Sequence, residues 1–118
     1  MFKNQPLPSE WEELKSPKQL DHAWNASNEK LVALFKHSVR CSRSAFAKSK
    51  LEENYNLKPN EVKFYYLDLI AHREVSNLIE QKSGVRHQSP QLILLKNGKV
   101  VFHTSHEMIG IDKIKKHL

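Results

Sequence analysis

The chain has 118 residues, a single cysteine and a net charge of +6. This length fits one domain with its own core, no apolar run approaches the roughly 18 residues that span a bilayer, and one cysteine excludes an internal disulfide framework. We therefore interpret residues 1–118 as a single domain with a loose N-terminal lead-in over residues 1–10, and the unpaired thiol favours a reducing, cytoplasmic location.

The first half of the chain predicts a helix, a strand and a second helix. Ser16 and Gln19 have the spacing of a capping box, with Pro17 in the first turn between them. The apolar run at 31–35 has the length of a central strand that is buried on both faces. The predicted elements are a helix from 17 to about 27, a strand over 31–35 and a helix from 42 to about 55.

The second half continues with strands, one long helix and a terminal helix. Gly84 is placed to end a helix, and Asn97-Gly98 is typical of a tight hairpin turn. The predicted elements are a strand over 62–67, a helix from about 72 to 84, strands over 91–95 and 99–103, and a short helix from about 109.

This order of elements predicts an α/β fold. Strands separated by helices favour right-handed parallel crossovers, and the last hairpin adds an antiparallel edge. The expected architecture is a mixed central sheet of four to five strands with helices on both faces, which is the thioredoxin-like arrangement.

Positive charge is concentrated around the cysteine and in the C-terminal third. Five basic residues and no acid lie between positions 36 and 50, and seven bases against two acids follow position 80. A solvated basic face is the simpler interpretation. A nucleic-acid surface is disfavoured because the aromatic residues are not spaced through the basic runs as stacking platforms. A third interpretation is local, since positive charge beside a thiol attracts anionic thiol ligands.

Cys41 is the predicted catalytic residue. It closely follows a buried strand and precedes a helix, at the sheet edge where open α/β folds bind ligands. A helix N-terminus supplies free N–H groups and a positive dipole end, which favour a thiolate. The alternative is a structural cysteine that packs as a small hydrophobe, and its polar neighbours disfavour this role. Residues predicted to activate the thiol or bind substrate are His37, Arg40, Ser42, Arg43, Ser44, Ser89 and Pro90.

Ser44 occupies the position of the second cysteine in a Cys-x-x-Cys redox frame. A thiol without this partner cannot resolve a mixed disulfide internally, so a catalytic Cys41 requires a second thiol from solution. The Ser44 hydroxyl either donates a hydrogen bond toward the thiolate or bonds the backbone at the helix start.

Ser89-Pro90 precedes an apolar strand and has two interpretations. A cis peptide here would turn the backbone of Ser89 toward a docked substrate near the cysteine loop. Alternatively, Pro90 only begins a strand, where its missing N–H is harmless.

Histidine offers weaker candidates. His103 and His106 could bind a metal ion, but no cysteine or carboxylate clearly completes a site, so no metal is expected. A cysteine hydrolase needs a histidine beside Cys41, and His37 leaves that alternative open. We interpret His37, His72 and His87 as polar surface or strand-end residues rather than as a catalytic set.

The segment Phe35–Ser44 resembles the F-K-H-S-T-R-C-P-I-S stretch of the YtxJ-type monothiol bacilliredoxins. The likeness runs from about Trp11 to Leu118. It includes three further short matches, at Arg73–Asn77, His87–Gln91 and Ser105-His106. The sequence departs from the family stretch at Val39, Ser42 and Arg43, which replace threonine, proline and isoleucine.

This resemblance implies an enzyme that removes bacillithiol from mixed disulfides on oxidised proteins. Cys41 would attack the bacillithiol sulfur, and a second bacillithiol or a partner redox protein would regenerate it. The implied partners are S-thiolated client proteins and a low-molecular-weight thiol, with no bound cofactor, nucleic acid or membrane, and the chain is expected to be a monomer. The alternative is a redox sensor or client-binding module that does not turn over.

Overall fold

The computed structural model of the protein describes residues 7–118. Its strands and helices are, in chain order, β1 (Trp11–Glu13), α1 (Pro17–Ala26), β2 (Leu31–His37), α2 (Ser42–Asn54), β3 (Val62–Asp68), α3 (Arg73–Ser83), β4 (Gln91–Lys96), β5 (Lys99–Ser105) and α4 (Ile111–Lys115), with a 3₁₀ turn at His106–Met108 before the last helix. Every predicted element is present, with ends that differ by a few residues. Most of the predicted lead-in, residues 1–6, lies outside the described part. Within residues 7–118, no helix is both long enough and apolar enough to cross a membrane.

The five strands form one mixed sheet in the order β1-β3-β2-β4-β5. Strand β3 runs parallel to both β1 and β2, whereas β4 is antiparallel to its neighbours β2 and β5. The predicted α/β class and mixed sheet are confirmed. The short edge strand β1 was not predicted, because three residues are too few to show an alternating pattern.

The predicted parallel crossover is wrong for β4. Helix α3 has 11 residues and spans about 16 Å, whereas the seven residues 84–90 that follow it can extend over up to about 25 Å. This segment is long enough to return the chain to the sheet edge where β3 ended. Strand β4 therefore begins beside the carboxyl end of β2, with Gln91 paired to Lys36.

Strand β2 divides the interior into two hydrophobic cores. All seven of its residues are buried, and its side chains alternate between the two faces of the sheet. Leu31, Ala33 and Phe35 pack with residues of α2 and α4, and Val32 and Leu34 pack with residues of α1 and α3. Helices thus cover both faces, and the carboxyl end of β2 lies between them.

The β4–β5 hairpin has the predicted turn. Asn97 and Gly98 have φ values of 53° and 75°, and two positive φ values in succession are typical of the type I′ hairpin turn. Both backbone N–H groups donate to Ser27 at the end of α1, Asn97 to the carbonyl at 2.7 Å and Gly98 to Oγ at 2.9 Å. The hairpin tip is therefore bound to the helix layer.

Phe35 provides a test of the core on the α2 and α4 side. Its ring is fully buried and lies 6.2 Å, centroid to centroid, from Trp11. We expect Phe35→Ala to lower the free energy of unfolding by about 3–5 kcal/mol, because it leaves a cavity in a packed aromatic cluster. Phe46→Ala is the matched control: its ring is 69% exposed, so the change should stay within about 0.5 kcal/mol. Equal losses in urea unfolding would contradict this description of the core.

Candidate functional site

Cys41 is the N-cap residue of α2. Its backbone is extended, with φ −114° and ψ 120°, and its side chain is partly exposed. The backbone N–H of Cys41 donates to the Ser38 carbonyl at 3.2 Å, and its own carbonyl accepts the first helical hydrogen bond from Ala45 at 3.0 Å. The thiol makes no capping hydrogen bond. Backbone hydrogen bonds therefore hold Cys41 at the helix start, and the sulfur itself is not used as a capping group.

Ser44 points away from solvent and contacts the end of β2. It is fully buried, its Oγ accepts the backbone N–H of Ser38 at 3.0 Å, and the same Oγ lies 2.7 Å from His37 Nδ1. This matches the backbone-bonding interpretation of Ser44 and adds a histidine partner. The imidazole is thus hydrogen-bonded to Ser44 rather than to the thiol that a cysteine hydrolase would require.

His37 is neutral at physiological pH. Burial, together with the positive charge of Lys48, lowers its pKa from 6.5 to about 4, although Asp68 opposes the shift. The side chain is the last of β2 and lies on the face of the sheet covered by α2. A neutral, hydrogen-bonded imidazole at this place stabilises the first turn of α2 around Ser44.

Lys36 is the matching residue on the opposite face. It is fully buried, and its Nζ donates to His87 Nδ1 at 2.7 Å. Burial lowers the pKa of Lys36 to about 8, against the opposing charge of Glu80, and burial together with Lys36 lowers the pKa of His87. The backbone N–H of His87 also donates to Glu80 Oε2 at 2.9 Å. His87 is half-buried, in keeping with its interpretation as a polar surface residue, but its pairing with Lys36 was missed.

Ser89 and Pro90 follow this pair along the chain. Their peptide bond is cis, which decides between the two isomers left open by the sequence. The Pro90 carbonyl accepts the backbone N–H of His106 at 3.1 Å, and the Ser89 hydroxyl oxygen is buried with no hydrogen-bond partner among the described residues. The Ser89-Pro90 segment thus contacts the turn that follows β5.

A groove of about 310 Å³ lies beside the start of α2, lined by Ser42, Arg43, Phe46, Ala47, Lys50, His106 and Glu107. At its rim the Arg43 guanidinium donates two hydrogen bonds to the Glu107 carboxylate, at 2.9 and 2.8 Å. The pKa of Arg43 is raised, mainly by these hydrogen bonds and also by the negative charge of Glu107. Glu107 was not among the predicted site residues, and no signal in the sequence links it to Arg43.

The remaining predicted site residues, Arg40 and Ser42, lie at the surface. Arg40 is exposed in the turn before Cys41, where its backbone N–H donates to Ser38 Oγ at 3.4 Å. Ser42 is also exposed and lines the groove. Within residues 7–118, no three side chains among His, Cys, Asp and Glu are grouped as metal ligands, so the pair His103 and His106 has no third ligand there.

The lowered pKa of His37 predicts acid sensitivity. Between pH 6.5 and about 4 the unfolded chain binds a proton at this residue that the folded chain does not, so stability falls as the pH decreases through this range. His37→Gln removes this loss. We expect the stability deficit of this variant relative to the wild type to shrink by roughly 1–3 kcal/mol from pH 7 to 4.5. His103→Gln is the control, because His103 is exposed. The prediction would be contradicted if the free energies of unfolding of the wild type and His37→Gln, measured in urea, changed equally with pH.

Comparison with solved structures identifies the fold. A structure assigned as an oxidoreductase with a thioredoxin fold is 28% identical, with a TM-score of 0.72 over 90% of this chain and 91% of that one. Thioredoxin from Trypanosoma brucei brucei has a TM-score of 0.69 at 19% identity, over 99% of this chain and 96% of its own. Malassezia sympodialis thioredoxin has a TM-score of 0.69 at 14% identity, over 99% and 95%. The predicted thioredoxin-like fold is confirmed.

The sequence comparison is more specific than the fold. The profile of the family described as monothiol bacilliredoxin BrxC matches residues 12–114. This range contains Cys41, Ser44, Pro90 and every strand except the first residue of β1. The chain therefore belongs to the monothiol bacilliredoxin family of thioredoxin-fold, thiol-dependent redox proteins.

Proposed function

We propose that the protein is a monothiol thiol–disulfide oxidoreductase that removes a low-molecular-weight thiol, bacillithiol, from mixed disulfides on oxidised proteins. The observation that carries the proposal is the pairing of a partly exposed Cys41 at the N-cap of α2 with a buried Ser44 three residues later. The cysteine is available for exchange, and the position of a second thiol is taken by a hydroxyl that is hydrogen-bonded to β2.

The first step is an exchange at Cys41. Its thiolate attacks the bacillithiol sulfur of the mixed disulfide, the bond between bacillithiol and the client breaks, and the client sulfur leaves as a thiolate that takes a proton from water. A disulfide between Cys41 and bacillithiol forms in its place. The positive end of α2 favours the attacking thiolate, since Cys41 lies at the N-terminus of a 13-residue helix.

The second step needs a thiol from outside the chain. A second bacillithiol thiolate attacks the bacillithiol sulfur held by Cys41, which releases bacillithiol disulfide and restores the Cys41 thiolate. The disulfide bond thus moves from the client to bacillithiol: the client sulfur is reduced to a thiol, and the sulfur of the second bacillithiol, or of a partner redox protein in its place, is oxidised to a disulfide. Ser44 cannot supply this second thiol.

The surroundings of Cys41 support an anionic co-substrate. Arg40 and Arg43 flank the thiol in the sequence, and Ser42 and Arg43 line the adjacent groove. The Pro90 carbonyl accepts a hydrogen bond from His106, which also lines this groove. In this proposal the chain works as a cytoplasmic monomer without a bound cofactor. Its partners are S-thiolated proteins and the free thiol.

Cys41→Ser tests the reaction directly. We expect the variant to lose release of bacillithiol from a bacillithiolated protein, because the serine hydroxyl is not ionised at neutral pH and cannot displace the client sulfur. Release is followed by the mass of the client, and circular dichroism verifies that the variant is folded. Retained release would refute the proposal. A wild-type protein that accepts bacillithiol once but is not regenerated by excess bacillithiol would instead support the redox sensor or client-binding module.

Ser44→Cys tests the requirement for an outside thiol. Without free bacillithiol, we expect the wild type to keep bacillithiol on Cys41, whereas the variant should release it and form an internal disulfide, since side chains three apart on a helix are neighbours. Ser49→Cys is the matched control, because a site eight residues along the helix lies about 12 Å away, beyond disulfide reach. Intact-protein mass spectrometry distinguishes the products. Equal retention of bacillithiol by Ser44→Cys and the wild type would contradict this account.

A further inference from the structure

The ion pair at the rim of the groove already shows how a carboxylate binds there. Arg43 Nε and one terminal nitrogen each donate to a different oxygen of Glu107, at 2.9 and 2.8 Å. This two-point geometry is the one that guanidinium groups use to bind carboxylates in ligands. Glu107 therefore occupies the position that the carboxylate of a bound molecule would take on Arg43.

The groove is basic apart from Glu107. Its other ionisable lining residues are Arg43, Lys50 and His106. Lys50 also faces Glu107, donating from Nζ to its backbone carbonyl at 3.2 Å. If the Glu107 side chain turns away, the guanidinium and the ammonium group remain beside an open volume of about 310 Å³ with no other acid in its lining.

The pair is well placed for exchange with a ligand. The side chains of Arg43 and Glu107 are 53% and 70% exposed, and ion pairs at this exposure contribute little to stability. A ligand carboxylate can therefore displace Glu107 at small cost. Ser42, the residue next to Cys41, lines the same groove, so the groove begins one residue along the chain from the thiol.

We propose that this groove binds the carboxylate of the low-molecular-weight thiol in the mixed disulfide, and that Glu107 is an internal competitor which Arg43 releases when that carboxylate binds. The inference rests on the proposed function and makes Arg43 and Glu107 residues that determine specificity. A thiol without a carboxylate leaves the internal pair intact and gains nothing from the groove. The protein should thus distinguish thiols by their charge.

The test compares one client protein carrying two different thiols. The client is linked at a single cysteine either to mercaptosuccinate, which has two carboxylates, or to 2-mercaptoethanol, which has none. Glu107→Gln should lower KM for the mercaptosuccinate adduct about two- to fivefold, the range expected from loss of a competing exposed ion pair. Arg43→Gln should raise that KM roughly five- to tenfold. Neither variant should alter KM for the 2-mercaptoethanol adduct.

A double variant separates competition from a general charge effect. In Arg43→Gln combined with Glu107→Gln, the second substitution should have no further effect, because Glu107 competes only through Arg43. Lys99→Gln, which removes one charge at the distant hairpin turn, is the matched control and should leave the preference between the two adducts unchanged. A gain from Glu107→Gln that persists without Arg43, or that is equal for both adducts, would overturn the proposal.

A binding measurement keeps this inference distinct from the proposed function. S-methyl mercaptosuccinate cannot undergo exchange, and its binding to the Cys41→Ser protein can be followed by the NMR signal of the Arg43 Nε–H group. The backbone amide signals of Ser42 and Phe46, which line the groove, report binding in every variant: it should be strengthened by Glu107→Gln and abolished by Arg43→Gln. If neither adduct is turned over but this binding is observed, the proposed function fails and the carboxylate site stands. If both adducts are turned over without binding or charge preference, the proposed function stands and the carboxylate site fails.

Discussion

The carboxyl end of β2 is the constraint on which the site depends. The strand is buried along its whole length, yet it ends in Lys36 and His37, two polar side chains that need hydrogen-bond partners in the interior. Because successive side chains of a strand point to opposite faces, these two residues cannot share a partner. His37 pairs with Ser44 on the α2 side, and Lys36 pairs with His87 on the α3 side.

Both parts of the site are therefore held in place by the same two neighbouring residues, Lys36 and His37. The first turn of α2, which carries Cys41, is held through Ser44, and the segment that leads to Ser89-Pro90 is held through His87. The sulfur needs no hydrogen bond of its own to be positioned, so it stays partly exposed and available. Rigid support from buried neighbours combined with a free reacting atom is the arrangement that exchange chemistry at a single thiol requires.

Features encoded locally were predictable from the sequence, and features that join distant residues were not. The Ser16 cap, the positive φ of Gly84 and the Asn97-Gly98 turn all follow from neighbouring residues, and the structure contains each of them. The position of Cys41 at a helix start likewise follows from the sequence around it, since a buried apolar strand precedes it and residues with helical periodicity follow it.

The missed contacts all span long stretches of chain. Lys36 and His87 are 51 residues apart, and Arg43 and Glu107 are 64 apart. A lysine inside an apolar strand is a weak sign that a polar partner exists, but it does not identify that partner. The direction of β4 was missed for a similar reason, because it depends on how far residues 84–90 extend rather than on their types.

The pair of the buried Lys36 and the half-buried His87 has a consequence for how related sequences can diverge. Replacing His87 alone leaves the Lys36 ammonium group without this partner in the interior, whereas replacing both by apolar side chains of similar shape can be nearly neutral. Loss of His87 alone is therefore penalised, and the two positions are expected to change together. The strand and the segment before Pro90 are thus coupled in evolution as well as in space, although neither residue of the pair carries out the chemistry.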